Sequence, residues 1–289
     1  MARQFTWVPA DGSPPIVLND EAAGYRLKAA GTRGLSAPTY ALTSSVYAGL
    51  DGAELDAIQA EPRDISLGVQ VQAHTTAEFR SRWRALVRAF RPRAGDGQLV
   101  VADEAGVVRT IWARYASGLE GDAEAEFSGV EGRAVVKLRA FDPWFYGTAQ
   151  RVSFGLGAPV TFFPIFPLQL SPSTVQGEFT VDLSDADDAA YPVWTVIGPG
   201  NGLTLKNLTT NRTLTVNATV AAGDSLIIDT RPGHRSIRRG DGTNLMAAVV
   251  GDPVLWPLIE GVNEISASLG GATVASRILG QFQPRYAGI

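Results

Sequence analysis

Residues Ile65 to Gln72 constrain the fold more than any other stretch, because two different periodicities meet just beyond them. Ile65, Leu67, Val69 and Val71 alternate with Ser66, Gln70 and Gln72, the period of two expected of a strand with one buried face. Three residues on, Thr75-Thr76-Ala77-Glu78 matches a capping box. In such a box the threonine hydroxyl accepts from a first-turn N–H and the glutamate reaches back. Phe79, Trp83, Leu86, Val87 and Phe90 then recur at helical spacing as one apolar stripe. Arg91-Pro92 ends the pattern, since the residue before proline is pushed away from helical dihedrals. No other segment reads as a convincing helix, so the expectation is a mainly β protein with a single helix in its first half.

The rest of the first half supplies short strands. Phe5 to Val8 and Ile16 to Leu18 open it, and Tyr25 to Ala29 alternates apolar and polar. Residues 31–52 are Gly/Ser/Thr-rich and read as a loop with a strand near Tyr40–Tyr47. Leu99 to Val101 and Val107 to Trp112 flank Asp103-Glu104-Ala105-Gly106, a hairpin with a glycine available for positive φ. Arg133 to Ala140 alternates again and runs into Phe141-Asp142-Pro143-Trp144-Phe145-Tyr146-Gly147, four aromatics in seven residues. A change of composition falls here, which predicts two domains, 1–147 and 148–289, against the alternative that the aromatics simply end a core strand. Phe141, Pro143, Trp144, Phe145 and Tyr146 are then expected at the joint.

Beyond that point come Gly- and Pro-punctuated strands. Tyr191–Gly198, Leu203–Asn207, Thr213–Val220 and Leu226–Thr230 are followed by a corner at Ile237–Gly242, then by Leu258–Ile265 and Ala272–Ile278. Such short, even spacing describes a β-sandwich. Val160 to Leu168 is very apolar, but Pro164 and Pro167 confine it to an edge, a bulge or extended crossing chain.

Composition narrows the function. Of 289 residues none is cysteine and two are histidine, which removes a disulfide framework, cysteine-based zinc sites and thiol nucleophiles. Nothing suggests a cofactor or a resident metal. Asp182 to Asp188 holds four aspartates without the spacing or distal glutamate of an EF-hand loop. The glycines near Gly198–Gly202 do not match a dinucleotide fingerprint. Net charge is −4, with 16 basic and 18 acidic residues in 1–147 and 9 and 11 in 148–289. Neither half therefore advertises affinity for nucleic acid. No stretch reads as a signal peptide or a membrane-spanning helix. Carboxylates are plentiful, but none sits in a catalytic motif, and the expectation is that the protein is not an enzyme.

Two surfaces stand out. Arg80, Arg84 and Arg88 form a basic stripe beside the apolar face of the helix, open to reading as a solvated face, a subunit contact or a phosphate site. Glu120, Asp122, Glu124 and Glu126 lie in an acidic segment that would suit the stripe across a symmetric interface. For a lectin-like role, Trp194 and Trp256 are the candidates for stacking on a sugar, against core packing as the alternative for each.

Taken in order, these features resemble the distal tail proteins (Dit) of long-tailed bacteriophages over most of the chain. The resemblance rests on Leu50-Asp51-Gly52-Ala53-Glu54-Leu55, on Glu61-Pro62-Arg63-Asp64-Ile65-Ser66-Leu67 and on the helix ending in Phe90-Arg91-Pro92. Arg114-Tyr115-Ala116-Ser117-Gly118-Leu119 and the run into Phe141–Tyr146 continue it, with Ala222–Thr230 and Leu258–Ile265 in the second half. It implies an N-terminal ring-forming β-barrel or sandwich domain and a C-terminal galectin-like β-sandwich, a name for a fold that does not establish sugar binding. It further implies a homohexameric ring in the virion tail tip, assembled in the host bacterial cytoplasm. That ring would join the tail tube protein to the tail hub (tail-associated) protein and the tape measure protein, and DNA would pass through its lumen. A carbohydrate-binding tail-tip module for host attachment is the alternative function.

Overall fold

The computed structural model describes residues 3–49, 51–120, 129–155, 174–251 and 254–289, with two short strands at Val160–Thr161 and Gln169–Leu170. The expected proline-bearing run at 162–168 lies outside them. The chain forms two compact units, residues 1–147 with 286–289, and residues 148–285. The last four residues, read from sequence as part of the second range, sit with the first.

In the first unit the strands are β1 (Gln4–Val8), β2 (Ile16–Val17), β3 (Tyr25–Arg33), β4 (Tyr40–Ser45), β5 (Glu54–Ala60) and β6 (Arg63–Gln72). Helix α1 (Thr76–Ala89) follows, then β7 (Gly97–Ala102), β8 (Val108–Ser117), β9 (Glu131–Ala140) and β10 (Phe145–Tyr146). One antiparallel sheet runs in the order β2-β1-β7-β8-β9-β6-β3, while among the described residues β4 and β5 pair only with each other. Alternation does what it predicted: Ile65, Leu67, Val69 and Val71 of β6 are buried, as are Ala134, Val136, Leu138 and Ala140 of β9. The β7–β8 turn closes on the Asp103 carboxylate, which accepts from the N–H groups of Ala105 and Val107, both at 2.9 Å.

Thr75 caps α1, its hydroxyl accepting from the Glu78 N–H at 3.2 Å. The Glu78 carboxylate reaches one residue past the cap and accepts from the His74 N–H at 2.9 Å. Phe79, Leu86, Ala89 and Phe90 are buried, and Phe90 stacks on Trp7 at 4.5 Å. The apolar stripe is narrower than the spacing suggested, because Val87 is 41% exposed. At 100° per residue Val87 falls on the flank of the buried arc, next to the arginines.

The second unit contains β11 (Gln150–Gly155), the short pair β12 (Val160–Thr161) and β13 (Gln169–Leu170), β14 (Thr174–Leu183), β15 (Val193–Ile197), β16 (Gly200–Asn207) and β17 (Arg212–Val220). It continues through β18 (Ser225–Asp229), β19 (Ser236–Arg239), β20 (Val249–Val250), β21 (Gly261–Gly270) and β22 (Arg277–Phe282). Two five-stranded antiparallel sheets, β11-β22-β15-β18-β19 and β14-β21-β16-β17-β20, share one apolar core. This is the expected sandwich, with two local differences. The strand expected over Ala272–Ile278 begins at Arg277, because Thr273 and Ser276 hydrogen-bond each other in a turn. Leu258 makes an isolated bridge to Ala190, and the long strand starts only at Gly261.

Candidate functional surfaces

The helix carries the first candidate surface. The side of α1 that faces away from the core presents Arg80, Arg84 and Arg88, all exposed. Among the described residues none of the three has an ion-pair partner. Arg82, on the other flank, is held: its guanidinium binds the Gln72 carbonyl and pairs with Glu78 at 2.7 Å. Of the acidic counterpart proposed from sequence, Asp122, Glu124 and Glu126 lie outside the described residues. Glu120 is exposed and locally engaged, accepting from the Gly118 N–H at 2.7 Å and the Tyr115 hydroxyl at 3.2 Å. Hydrogen bonds from its own backbone and from Gly118 hold its carboxyl below the ordinary range.

The aromatic stretch divides by residue. Phe145 is fully buried in the first unit's core, with the Arg63 guanidinium 5.0 Å above its ring. Pro143 and Trp144 are buried. Tyr146 meets Trp112 edge to face at 5.2 Å and donates its hydroxyl to Asp142 at 2.6 Å. Phe141 is exposed. Trp194 and Trp256 belong to the second core, 1% and 3% exposed and edge to face at 6.0 Å. Neither offers a ring face to a sugar, and no described Trp, Tyr or Phe of the second unit is exposed. The aspartate run is turn chemistry: Asp182 accepts from the Ser184 N–H at 2.9 Å, and Asp188 pairs with Arg285 at 2.6 Å. The described residues contain no metal-ligand cluster and no helix long and apolar enough to cross a membrane.

One surface was missed in the sequence. The hairpin β4–β5 projects Tyr40, Leu42, Val46, Tyr47, Leu55 and Ile58 into solvent. Cross-strand partners Tyr40↔Ala60, Leu42↔Ile58 and Ser44↔Leu55 place Tyr40, Leu42, Leu55 and Ile58 on one face. The signal was there in Tyr40-x-Leu42 and Leu55–Ile58, but the register shift between Thr43 and Ser44 hid the period. The root of the hairpin is pinned by the buried Arg63, which donates to the carbonyls of Ser36 (2.6 Å), Gly34 (3.3 Å) and Ala287 (2.6 Å). Burial lowers the Arg63 pKa without approaching neutrality at ordinary pH. Gly34 permits the turn there, with φ at +82° and a notional Cβ only 2.2 Å from the Asp64 carbonyl oxygen.

These features define a class of architecture: a mainly β chain of two units, with one helix in the first unit and a sandwich for the second. No family model matches the sequence, and no curated protein does. Solved structures match it almost end to end. The crystal structure of SPP1 Dit (gp 19.1), described as a paradigm of the hub adsorption apparatus in Gram-positive infecting phages, aligns with a TM-score of 0.63 at 18% identity. That alignment covers 99% of this chain and 100% of that one. A chain of the phage P2 baseplate, in its activated conformation with Ca, aligns with a TM-score of 0.52 at 10% identity over 99% and 98%. At such identities the likeness is one of fold. The all-β fold expected from sequence is the fold of SPP1 Dit.

Proposed function

We propose that this chain is a structural component of a long-tailed phage tail, a distal tail protein. In this reading it forms a hexameric ring that joins the tail tube to the tip or baseplate hub and lets DNA pass. The observation that carries the reading is the alignment with SPP1 Dit over the full length of both chains. A rotational ring needs two different, complementary faces on one subunit. The uncompensated arginine face and the apolar hairpin of the first unit are surfaces of that kind. Each neutralised phosphate would add salt-dependent affinity, so a chain of net charge −4 suits DNA transit better than capture. The partners on this reading are the tail tube, hub and tape measure proteins, the place is the virion tail tip, and assembly takes place in the host cytoplasm. The role is structural rather than enzymatic. The 1–147 range supplies the ring and the 148–289 range an outer galectin-like module, with Phe141–Tyr146 leading from one to the other.

Native mass measurement and negative-stain imaging of the full chain test this. A six-membered ring with a central hole is expected. A monomer at every accessible concentration, which also fails to join tails in a complementation assay, would sink the reading.

A further inference from the structure

The three larger sheets end on six strands, and five of these are guarded. β2 and β20 are two residues long, and β19 is four residues with Arg238 and Arg239 among them. β3 carries Arg26, Lys28 and Arg33 and breaks register between Lys28 and Arg33. β11 is six residues long and holds Arg151. Short length, basic side chains and bulges keep a sheet edge from pairing with a foreign strand. β14 has none of them. It runs ten residues, Thr174–Leu183, without lysine, arginine or proline. Its register with β21 is unbroken from Thr174↔Gly270 to Leu183↔Gly261, and no described strand lies on its other side.

The strand is firmly held. Val175, Val181 and Leu183 are buried in the second core, and half-buried Phe179 meets Phe154 of β11 edge to face at 4.6 Å. Gln176, Glu178, Thr180 and Asp182 face the other way and are exposed. An edge already fixed in place meets an incoming chain with little ordering of its own. The charge on its outer face has one sign. Glu178 and Asp182 share that face, four residues and about 13 Å apart along the strand, and Glu264 of β21 stands there too, opposite Thr180. Among the described residues none of the three has an ion-pair partner. Lys206 of β16 is separated from Glu178 by Ser266 of the intervening strand.

We infer that β14 takes up an extended segment of another protein as a further strand of its sheet. Backbone hydrogen bonds along the open edge supply the affinity, and alternate side chains set the choice of partner. On the outer face the segment brings lysine or arginine to Glu178, Asp182 and Glu264. On the inner face it brings apolar side chains toward Phe179 and Phe154. This chain does not offer such a segment next to the edge. Residues 156–173, which lead into β14, contain four prolines and no lysine or arginine, and proline has no N–H to give a ladder. A second copy of β14 would add carboxylates to the same face and no cation, which disfavours self-pairing. The contact is separate from the ring and stands whether or not the chain closes one.

Three peptides of about ten residues, titrated against the full chain, test this. The first alternates lysine with valine, the second has glutamate in place of lysine, and the third is the first with its amide nitrogens methylated. The lysine peptide is expected to bind and to slow hydrogen exchange of backbone amides within 174–183. The glutamate peptide should bind at least about tenfold more weakly. Methylation should abolish binding, because it removes the N–H groups that strand addition needs. Glu178→Lys with Asp182→Lys places guarding cations on the edge, and the lysine peptide should lose about tenfold against it. Both positions are exposed, and circular dichroism checks that the variant folds. Equal binding of the methylated peptide would reduce the edge to a charged surface and overturn the inference, as would no binding by any peptide. Exchange within 174–183 that slows only as the chain itself is concentrated would give the edge to a second copy and overturn it too.

Discussion

The two units differ in what they leave unfinished. In the second, three carboxylates find local arginines, Asp229 with Arg231 at 2.6 Å, Asp188 with Arg285 at 2.6 Å and Asp224 with Arg239 at 3.3 Å, although Arg212, Arg235 and Arg238 stay without an ion pair among the described residues. Its large aromatics are in the core or half-buried among the described residues. In the first, three arginines of one helix stay uncompensated and a hairpin keeps an apolar face in water. A closed sandwich can fold and persist by itself. A unit with a grouped exposed apolar surface and uncompensated arginines is suited to meeting a neighbour, and the proposed ring would draw its contacts from there.

Four measurements would break or sharpen that contrast. The largest effect is expected from Trp194→Ala, which empties the middle of the second core. A loss of about 3–5 kcal/mol follows from truncating a buried indole, read in denaturant titrations as an earlier transition of the second unit. Assembly should survive it, and loss of assembly would show that the second unit takes part. Next is Arg63→Met, which strips the hairpin root of its hydrogen bonds to Ser36, Gly34 and Ala287. The expected cost is roughly 3 kcal/mol for several charge-assisted bonds lost at once, with faster proteolysis within residues 36–61. Arg63→Lys should not rescue it, because an ammonium cannot span three carbonyls as the planar fork does.

A smaller effect is expected from pH. Burial raises the Asp229 carboxyl, but the hydrogen bonds and charge of Arg231 outweigh it, so the folded pKa lies below the ordinary aspartate value. A depressed carboxylate adds stability above its unfolded pKa and loses it as pH falls through the folded one. The second unit should therefore weaken below about pH 4, and Asp229→Asn should flatten that limb in thermal melts. Least of all, Leu42→Ser with Ile58→Ser should change the stability of the unassembled chain by no more than about 0.5 kcal/mol, both side chains being already in water. The same pair should abolish assembly. A large stability loss would mean that the hairpin packs on its own subunit.

Sequence and structure part company at particular residues. The alternation of β6 and β9, the Thr75 cap, the stop at Pro92 and the Asp103 turn were all legible, because each is settled by contacts within a few residues. Val87 was misread because helical spacing gives a stripe's direction without its width, and the width depends on what packs against it. The hairpin β4–β5 was half-missed because a bulge broke its period and, among the described residues, no core takes in its apolar side chains. Trp194 and Trp256 looked the same in sequence whether facing a ligand or packed edge to face in a core.

By itself, then, the order of residues determined a mainly β chain with one capped helix, a compositional break near Gly147 and a likeness to distal tail proteins. Local periodicity, capping and turn chemistry suffice for that. Only the tertiary structure decided which of the arginines on α1 are left without a carboxylate among the described residues, which tryptophans are core, and that β4 and β5 hold their apolar side chains in water. Those facts depend on residues far apart in the chain, such as Arg63 reaching Ala287 across 224 positions, and no local pattern encodes such a distance.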